Sequence, residues 1–282
     1  MLDTSVMERS LSHYFIASSH NTYLEGNQLT SNSSVNRYIN DLQKGCRCVE
    51  LDCWDGEKNE PIIFHGHTLT SKIYFKDVVA AIKQFGFSAS PYPIILSIEN
   101  HCSIRQQQRM AELLKKILGK HLLMPKYGIV DGKLPSPEML RKKVIVKGKR
   151  LHAATDDSVE DGESDDDDDD TKHDVSKKPS DESIEEQAAE SAPKPPKQPK
   201  IAQELSDITY MGTGHMKKFG TEISASVPAD IMCSYGENTT KKHCKNAEVS
   251  KEWMHHNTEH LRLVIHYYSI FCSPLSHFVY IL

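Results

Sequence analysis

The sequence predicts an α/β protein: a TIM-type (β/α)8 barrel, split by a disordered acidic linker and incomplete at its C-terminus. Three observations lead there. Strand-like and helix-like runs alternate through residues 1–150, the order that produces parallel sheets with helical crossovers. Polar residues fall at or just past the C-terminal ends of several of these strands, where barrels carry their chemistry, whereas an open doubly wound sheet concentrates its site at one switch point. An unbroken run of aspartates, Asp165 to Asp170, then separates this region from a second, shorter foldable piece that begins at Glu204.

The elements follow in order. His13 to Ala17 reads as a strand. Val35, Tyr38, Ile39 and Leu42 keep helical spacing, with Ser33 or Ser34 as cap and Gly45 as stop. Arg47 to Cys53 and the shorter Pro61 to Phe64 are strands. Phe75, Val78, Val79, Ile82 and Phe85 form the stripe of a second helix, closed by Gly86. Pro93 to Ile98 is apolar throughout, as in a buried parallel strand. Ser103 and Gln106 have capping-box spacing before a third helix with Met110, Leu113, Leu114, Ile117 and Leu118 on one face and Gly119 at its end. Val144 to Val146 is the next strand.

The 282 residues contain enough apolar side chains for a core, concentrated in the first half. From Asp156 to Asp170 there is no Lys or Arg, and Ser, Glu, Lys and Pro dominate to Lys200. Such a segment buries too little apolar area to offset the entropy of ordering. The net charge of -5 comes largely from that run, so the folded parts are close to neutral and able to approach anionic phosphate. The expected organisation is 1–10 as an extension, 11–151 as the first half-barrel, 152–202 as the acidic linker, 203–262 as a partial second half and 263–282 as a divergent apolar tail. That tail is barely long enough to cross a bilayer and contains Ser, His and Pro, which argue against a span. The seven cysteines lack a paired Cys-x-x-Cys spacing, so reduced strand cysteines are expected rather than zinc ligands. No signal peptide is evident.

Glu50 and Asp52 are two apart on one strand and therefore share a face. Two buried carboxylates repel, and a cation between them removes the penalty. Glu99 at another strand end and the amide oxygen of Asn21 complete an all-oxygen set that suits a hard ion, calcium or magnesium. The bland alternative is an ordinary salt-bridged pair. His20 and His65 follow two different strands and are candidates for acid–base work, against the commoner fate of a core histidine. Lys147 and Lys149 share a strand face and suit phosphate oxygens; alone they would be a solvated pair.

These residues lie in longer motifs: Ser18-Ser19-His20-Asn21-Thr22-Tyr23-Leu24, Gly45 to Gly56, Phe64 to Ile73, Leu96-Ser97-Ile98-Glu99-Asn100-His101-Cys102-Ser103 and Leu134-Pro135-Ser136-Pro137. Together, from Leu11 to Arg150, they resemble the X half of eukaryotic phosphoinositide-specific phospholipase C. The acidic run resembles that family's X–Y linker, and Glu204 to Tyr210 the start of its Y half. The resemblance implies cleavage of phosphatidylinositol 4,5-bisphosphate to diacylglycerol and inositol trisphosphate. Calcium would be held by Asn21, Glu50, Asp52 and Glu99. His20 would stabilise the charged phosphorane, Glu50 would take the inositol 2-hydroxyl proton, and His65 would protonate the departing oxygen. Lys147, Lys149 and Ser234 would hold the ring phosphates.

The second half departs from the family pattern. His256-Asn257 is followed by Leu261 to His266, so Arg262 stands out of register and no Tyr-Pro follows. An unclosed sheet edge and weak or absent turnover by this chain alone are therefore expected. The alternative function is a truncated, weakly active or inactive isoform that binds phosphoinositides or partners. A glycerophosphodiester phosphodiesterase shares the barrel and metal chemistry, but the lysine pair and the long spacer count against it. The expected partner is a phosphoinositide lipid, with no nucleic acid, and the expected location is cytoplasmic, peripheral at the inner membrane surface.

Overall fold

The computed structural model describes residues 7–151, 200–214, 228–236, 245, 250–251, 262–265 and 278–281; for 234–236 and the last two segments only the backbone is described. The expected linker, 152–202, therefore lies outside the described residues except at 200–202.

The strands are β1 (Ile16–Ser19), β2 (Cys48–Trp54), β3 (Ile62–Ile63), β4 (Ile73–Tyr74), β5 (Ile94–Asn100), β6 (Val144–Gly148), β7 (Met211–Gly214), β8 (Ile231–Gly236), β9 (Arg262–Ile265) and β10 (Phe278–Ile281). The helices are α1 (Val35–Gln43), α2 (Phe75–Phe85), α3 (Ile104–Leu118) and the short α4 (Gln203–Ser206). The sheet runs β1-β10-β9-β8-β7-β6-β5-β2, with β3 and β4 as a flap beyond β2. A pairing of β1 with β2, at Ser18 and Cys48, closes the ring. The α/β barrel read from the sequence is the fold.

Its C-terminal end is built differently from the rest. From β1 through β2, β5, β6, β7 and β8 to β9 every contact is parallel, whereas β10 lies antiparallel to both β9 and β1. The regular repeat is thus not completed, yet the expected open edge does not remain. Unpaired edge N–H and C=O groups are a template for any strand-forming segment, and the tail supplies Phe278-Val279-Tyr280-Ile281.

Local details follow the sequence with a few shifts. The first strand starts later than expected, at Ile16. Ser34, not Ser33, caps α1 by accepting from the Asn36 amide at 3.1 Å, and Gly45 ends it with φ 101°. The capping box at Ser103 does not form. Ser103 lends no side chain to the helix, and Gln106 bonds the Gly56 backbone in both directions, at 2.7 and 3.0 Å. An amide can satisfy a donor and an acceptor of the turn after β2 together, which a capping contact cannot.

The core has two compartments. Val49, Leu51 and Cys53 of β2, Ile94, Leu96 and Ile98 of β5, and Val144 and Val146 of β6 face out and pack under α1, α2 and α3. The alternate residues Cys48, Ile95 and Ile145 face in and, with Ile16, Met211 and Met232, fill the lower barrel. The second piece is tied to the first by β6–β7 pairing, by Gln107, which bonds Ala202 and Lys200 backbone atoms at 2.8 and 3.0 Å, and by the Arg150–Asp230 ion pair at 2.8 Å. Arg150 also donates to the Tyr210 carbonyl. Both partners of the ion pair are largely shielded from water, with 17% and 13% of their side chains exposed. Asp230→Ala should lower stability by about 2–3 kcal/mol through the unpaired guanidinium, and Glu138→Ala, which breaks the more exposed Arg141 pair, by under about 1 kcal/mol. Equal losses in chemical denaturation would contradict this account of how the two pieces are joined.

Candidate active site

Strand register builds the site in layers. Glu50 of β2 is paired with Ser97 of β5, and Ser97 with Lys147 of β6; one step higher, Asp52 is paired with Glu99. Partners in register share a face, so these side chains stand directly above the apolar layer of Cys48, Ile95 and Ile145. Ligand oxygens of Glu50, Asp52 and Glu99 converge to within 4.8 Å of one another, the one such group among the described residues.

Each carboxylate is held through one oxygen. The backbone N–H of Asn21 donates to Glu50 Oε2 at 2.7 Å. Asn21 adopts φ 44°, a left-handed conformation that Asn tolerates, and this turn directs the amide. The Tyr23 hydroxyl donates to Asp52 Oδ2 in a short hydrogen bond. His101 Nε2 lies 2.8 Å from Glu99 Oε1, and its ring stacks on Trp54 at 4.0 Å. Below, the Thr22 hydroxyl accepts from the Glu50 amide and the Tyr38 hydroxyl donates to the Glu50 carbonyl.

The sequence-predicted catalytic residues assemble around this set. His20 Nε2 lies 3.8 Å from Glu50 Oε2. His65 Nδ1 lies 2.7 Å from the Gln28 carbonyl. A carbonyl only accepts, so Nδ1 carries the hydrogen and Nε2 is left as the ring nitrogen able to give or take a proton. Gln28 in turn accepts from Asn21 Nδ2 at 2.6 Å, which links the His65 loop to the ligand loop. Lys147 is buried and donates to Ser97 Oγ at 3.1 Å. Lys149 lies just past the end of β6 and is half-exposed. Ser234 is on β8, in register with Leu263; its side chain, like that of Arg262, lies outside the described residues.

The donor set fits a hard cation. Asp52 is 4% exposed, and its Oδ1 is buried without a hydrogen-bond partner. Burial, then the charges of Glu50 and Glu99, hold its carboxyl well above the ordinary range, against the Tyr23 hydrogen bond. Burial also raises Glu99, but the bond and charge of His101, with His20 and Lys147, outweigh it and leave Glu99 lowered. Its side chain is 48% exposed, so solvent screens these effects. Asn21, Glu50, Asp52 and Glu99 offer only oxygen. The described cysteines are free and buried, and burial pushes the Cys46 thiol up to about 12, which opposes a thiolate zinc site.

Residues outside the expected site set also shape it: Tyr23, Gln28, Thr22, His101 and Trp54. Gly66 is one whose sequence signal was legible. It sits between two histidines, and a Cβ there would meet Trp54 Cζ2 at 2.1 Å, so only glycine allows the indole to lie against the His65 loop. The rim carries Leu29 and Leu69, 60% and 85% exposed, joined by a Leu69 N–H to Leu29 carbonyl bond of 3.0 Å.

A raised carboxyl has a defined sign. The unfolded chain releases the Asp52 proton near pH 3.9, and the folded chain holds it to higher pH. Asp52 therefore favours the metal-free fold in acid, and that contribution is lost as pH rises through the interval between the two values. Asp52→Asn should raise the metal-free melting temperature at neutral pH, by about 2–4 °C per kcal/mol relieved, and should remove any rise on adding a divalent cation. A lower metal-free melting temperature with the cation response intact would sink this account.

The family model described as "Phosphatidylinositol-specific phospholipase C, X domain" matches residues 7–150. The chain is 42% identical over 252 residues to the 1-phosphatidylinositol 4,5-bisphosphate phosphodiesterase delta-3-A of Danio rerio, a match covering 86% of this chain and 30% of that protein. It is 58% identical over 146 residues to the human delta-4 phosphodiesterase, covering 51% of this chain and 19% of that one. The crystal structure of S. officinalis PLC21 is similar with TM-score 0.71 and 34% identity, over 92% of this chain and 30% of that one. The chain thus spans less than a third of the length of these relatives. With the family model covering just over half of the sequence, on the segment that carries the acidic triad and both histidines, the chain belongs to the phosphatidylinositol-specific phospholipase C family.

Proposed function

We propose that this chain is a calcium-dependent phosphoinositide phospholipase C that converts phosphatidylinositol 4,5-bisphosphate to inositol 1,4,5-trisphosphate and diacylglycerol in signal transduction. The observation that carries the reading is the acidic triad of buried Glu50 and Asp52 with exposed Glu99, beside His20 and His65. The names of the curated relatives, 1-phosphatidylinositol 4,5-bisphosphate phosphodiesterases, support the substrate. Calcium is favoured over magnesium because one loop and two strands supply the donors, a looser arrangement than a strict octahedron needs.

Asn21, Glu50, Asp52 and Glu99 would hold Ca²⁺, whose positive charge would lower the pKa of the inositol 2-hydroxyl and offset charge on the reacting phosphate. Glu50 takes the hydroxyl proton. His20 donates to a phosphoryl oxygen as negative charge builds there. His65, held through Nδ1 by Gln28, delivers a proton from Nε2 to the departing diacylglycerol oxygen. The 2-oxygen forms a bond to phosphorus as the bond from phosphorus to the diacylglycerol oxygen breaks, and the resulting cyclic phosphodiester is opened by water with the acid and base roles reversed. Lys147, Lys149 and Ser234 hold the ring phosphates.

We place the enzyme at the cytoplasmic membrane surface. Leu29 and Leu69 project from the two loops that carry Gln28 and His65, so apolar tips flank a polar mouth, as a site that takes lipid from a bilayer requires. A second reading, a phosphoinositide-binding regulator with little turnover, is favoured by one observation: the last barrel strand is antiparallel and comes from the divergent tail.

Release of inositol phosphates from vesicles separates the readings. EGTA should abolish release, and His65→Gln should lower kcat by about 10²-fold or more with Ca²⁺ binding retained. Calcium-dependent vesicle binding without release would establish the regulator instead; release insensitive to EGTA would overturn the cation assignment. Leu29→Ser with Leu69→Ser should cut hydrolysis in vesicles about 10-fold and spare a soluble glycerophosphoinositol substrate. Equal losses on both substrates would remove the membrane role of the rim.

A further inference from the structure

Two residues outside the candidate ligand set, Tyr23 and Gln28, bond directly to members of it. We propose that Tyr23 and Gln28 form a brace that presets Asn21 and Asp52 as cation ligands; the proposal rests on the cation reading of this site.

Tyr23 is fully buried. Its hydroxyl bonds Asp52 Oδ2 and lies 3.2 Å from Asn21 Oδ1. A phenol has one hydrogen, and the carboxylate, a stronger acceptor than the Asn21 amide oxygen, takes it. Burial first, then Asp52, pushes the phenol far above its ordinary range, so it stays a neutral donor. With Oδ2 occupied, Asp52 presents Oδ1, the buried oxygen without a hydrogen-bond partner. The hydroxyl thereby sets the carboxylate plane and favours one-oxygen rather than two-oxygen ligation.

Asn21 is fixed from its other side. Its Nδ2 donates to Gln28 Oε1 at 2.6 Å, and an amide whose nitrogen is so committed turns its oxygen the opposite way. Oδ1 therefore faces the Tyr23 hydroxyl. The Asn21 N–H is committed to Glu50 at 2.7 Å, so the residue is held at three points. Gln28 also offers its carbonyl to His65 Nδ1 at 2.7 Å, which places the proton-donating histidine and a cation ligand on the two ends of one residue. Groups that orient ligands in this way commonly change metal affinity 10–100-fold when removed.

Tyr23→Phe removes one oxygen and keeps the buried ring; Gln28→Ala removes a partly exposed side chain and leaves the carbonyl to His65. Ca²⁺ is titrated by calorimetry into the 282-residue chain and each variant, with melting temperatures recorded in EGTA and in saturating Ca²⁺. Tyr23→Phe should weaken Ca²⁺ binding about 10–100-fold, and Gln28→Ala about 3–10-fold, the worth of one hydrogen bond. The rise in melting temperature on adding Ca²⁺ should shrink in both. In release assays the half-maximal Ca²⁺ concentration should rise, with most of the maximal rate recovered at saturation. A merely structural role would lower both melting temperatures equally and leave the Ca²⁺ dissociation constant unchanged, and that result overturns the brace while leaving the cation reading intact. If Tyr23→Phe does not fold, an unchanged Gln28→Ala affinity alone overturns it. A wild-type chain that binds no Ca²⁺ overturns both the brace and the cation reading.

Discussion

Three carboxylates, Glu50 and Asp52 buried and Glu99 exposed, lie within a few ångströms and repel one another, and the rest of the site keeps them there. The pairing of β2 with β5 sets the problem by placing Asp52 beside Glu99 and Glu50 beside Ser97. The outward faces of the same strands pack under three helices, so the strands cannot shift to separate the charges without exposing core. Their crowding carries an electrostatic cost that a bound cation would offset. Each acid is restrained through a single oxygen by a different kind of donor: a backbone amide, a phenol and an imidazole.

The same restraints connect the candidate cation ligands to His65. Asn21, at its left-handed turn, connects to Glu50 on one side and to Gln28 on the other, and Gln28 connects to His65. The loops that carry this connection also end in exposed leucines. A surface that engages those tips would hold the acid–base pair and the ligand set together, so that lipid contact and competence for chemistry become one event.

Closure of the sheet matters for the same reason. A ligand set drawn from β2 and β5 needs walls that do not splay, and the ring through β7, β8 and β9 supplies them. Arg150 and Gln107 bridge the two sides of the long intervening segment through Asp230, Tyr210, Ala202 and Lys200. The last place in the ring is taken by a strand running the other way, which preserves hydrogen bonding along β1 but does not reproduce the loop that a parallel strand would present at the mouth.

Much of this was legible in the sequence. Alternation on β2 put Glu50 and Asp52 on one face, and the apolar stripes of α1, α2 and α3 marked the outer core, because those signals are local and periodic. The ligand candidates and both histidines were readable from residue type and from position after strands. The capping box at Ser103 was misread because Gln106 has a tertiary partner, Gly56, fifty residues away, which no local pattern contains. Tyr23 and Tyr38 could be placed only as core aromatics, since their hydroxyl partners belong to another strand. The sequence by itself determined the strand and helix order, the inward acids and the motif set. Only the tertiary structure decided that the apolar tail pairs into the ring, that Asp52 keeps one oxygen without a partner, and that Gln28 joins a histidine to a ligand. Such outcomes depend on register and on competition for hydrogen bonds between distant segments, and both are settled when the sheet closes.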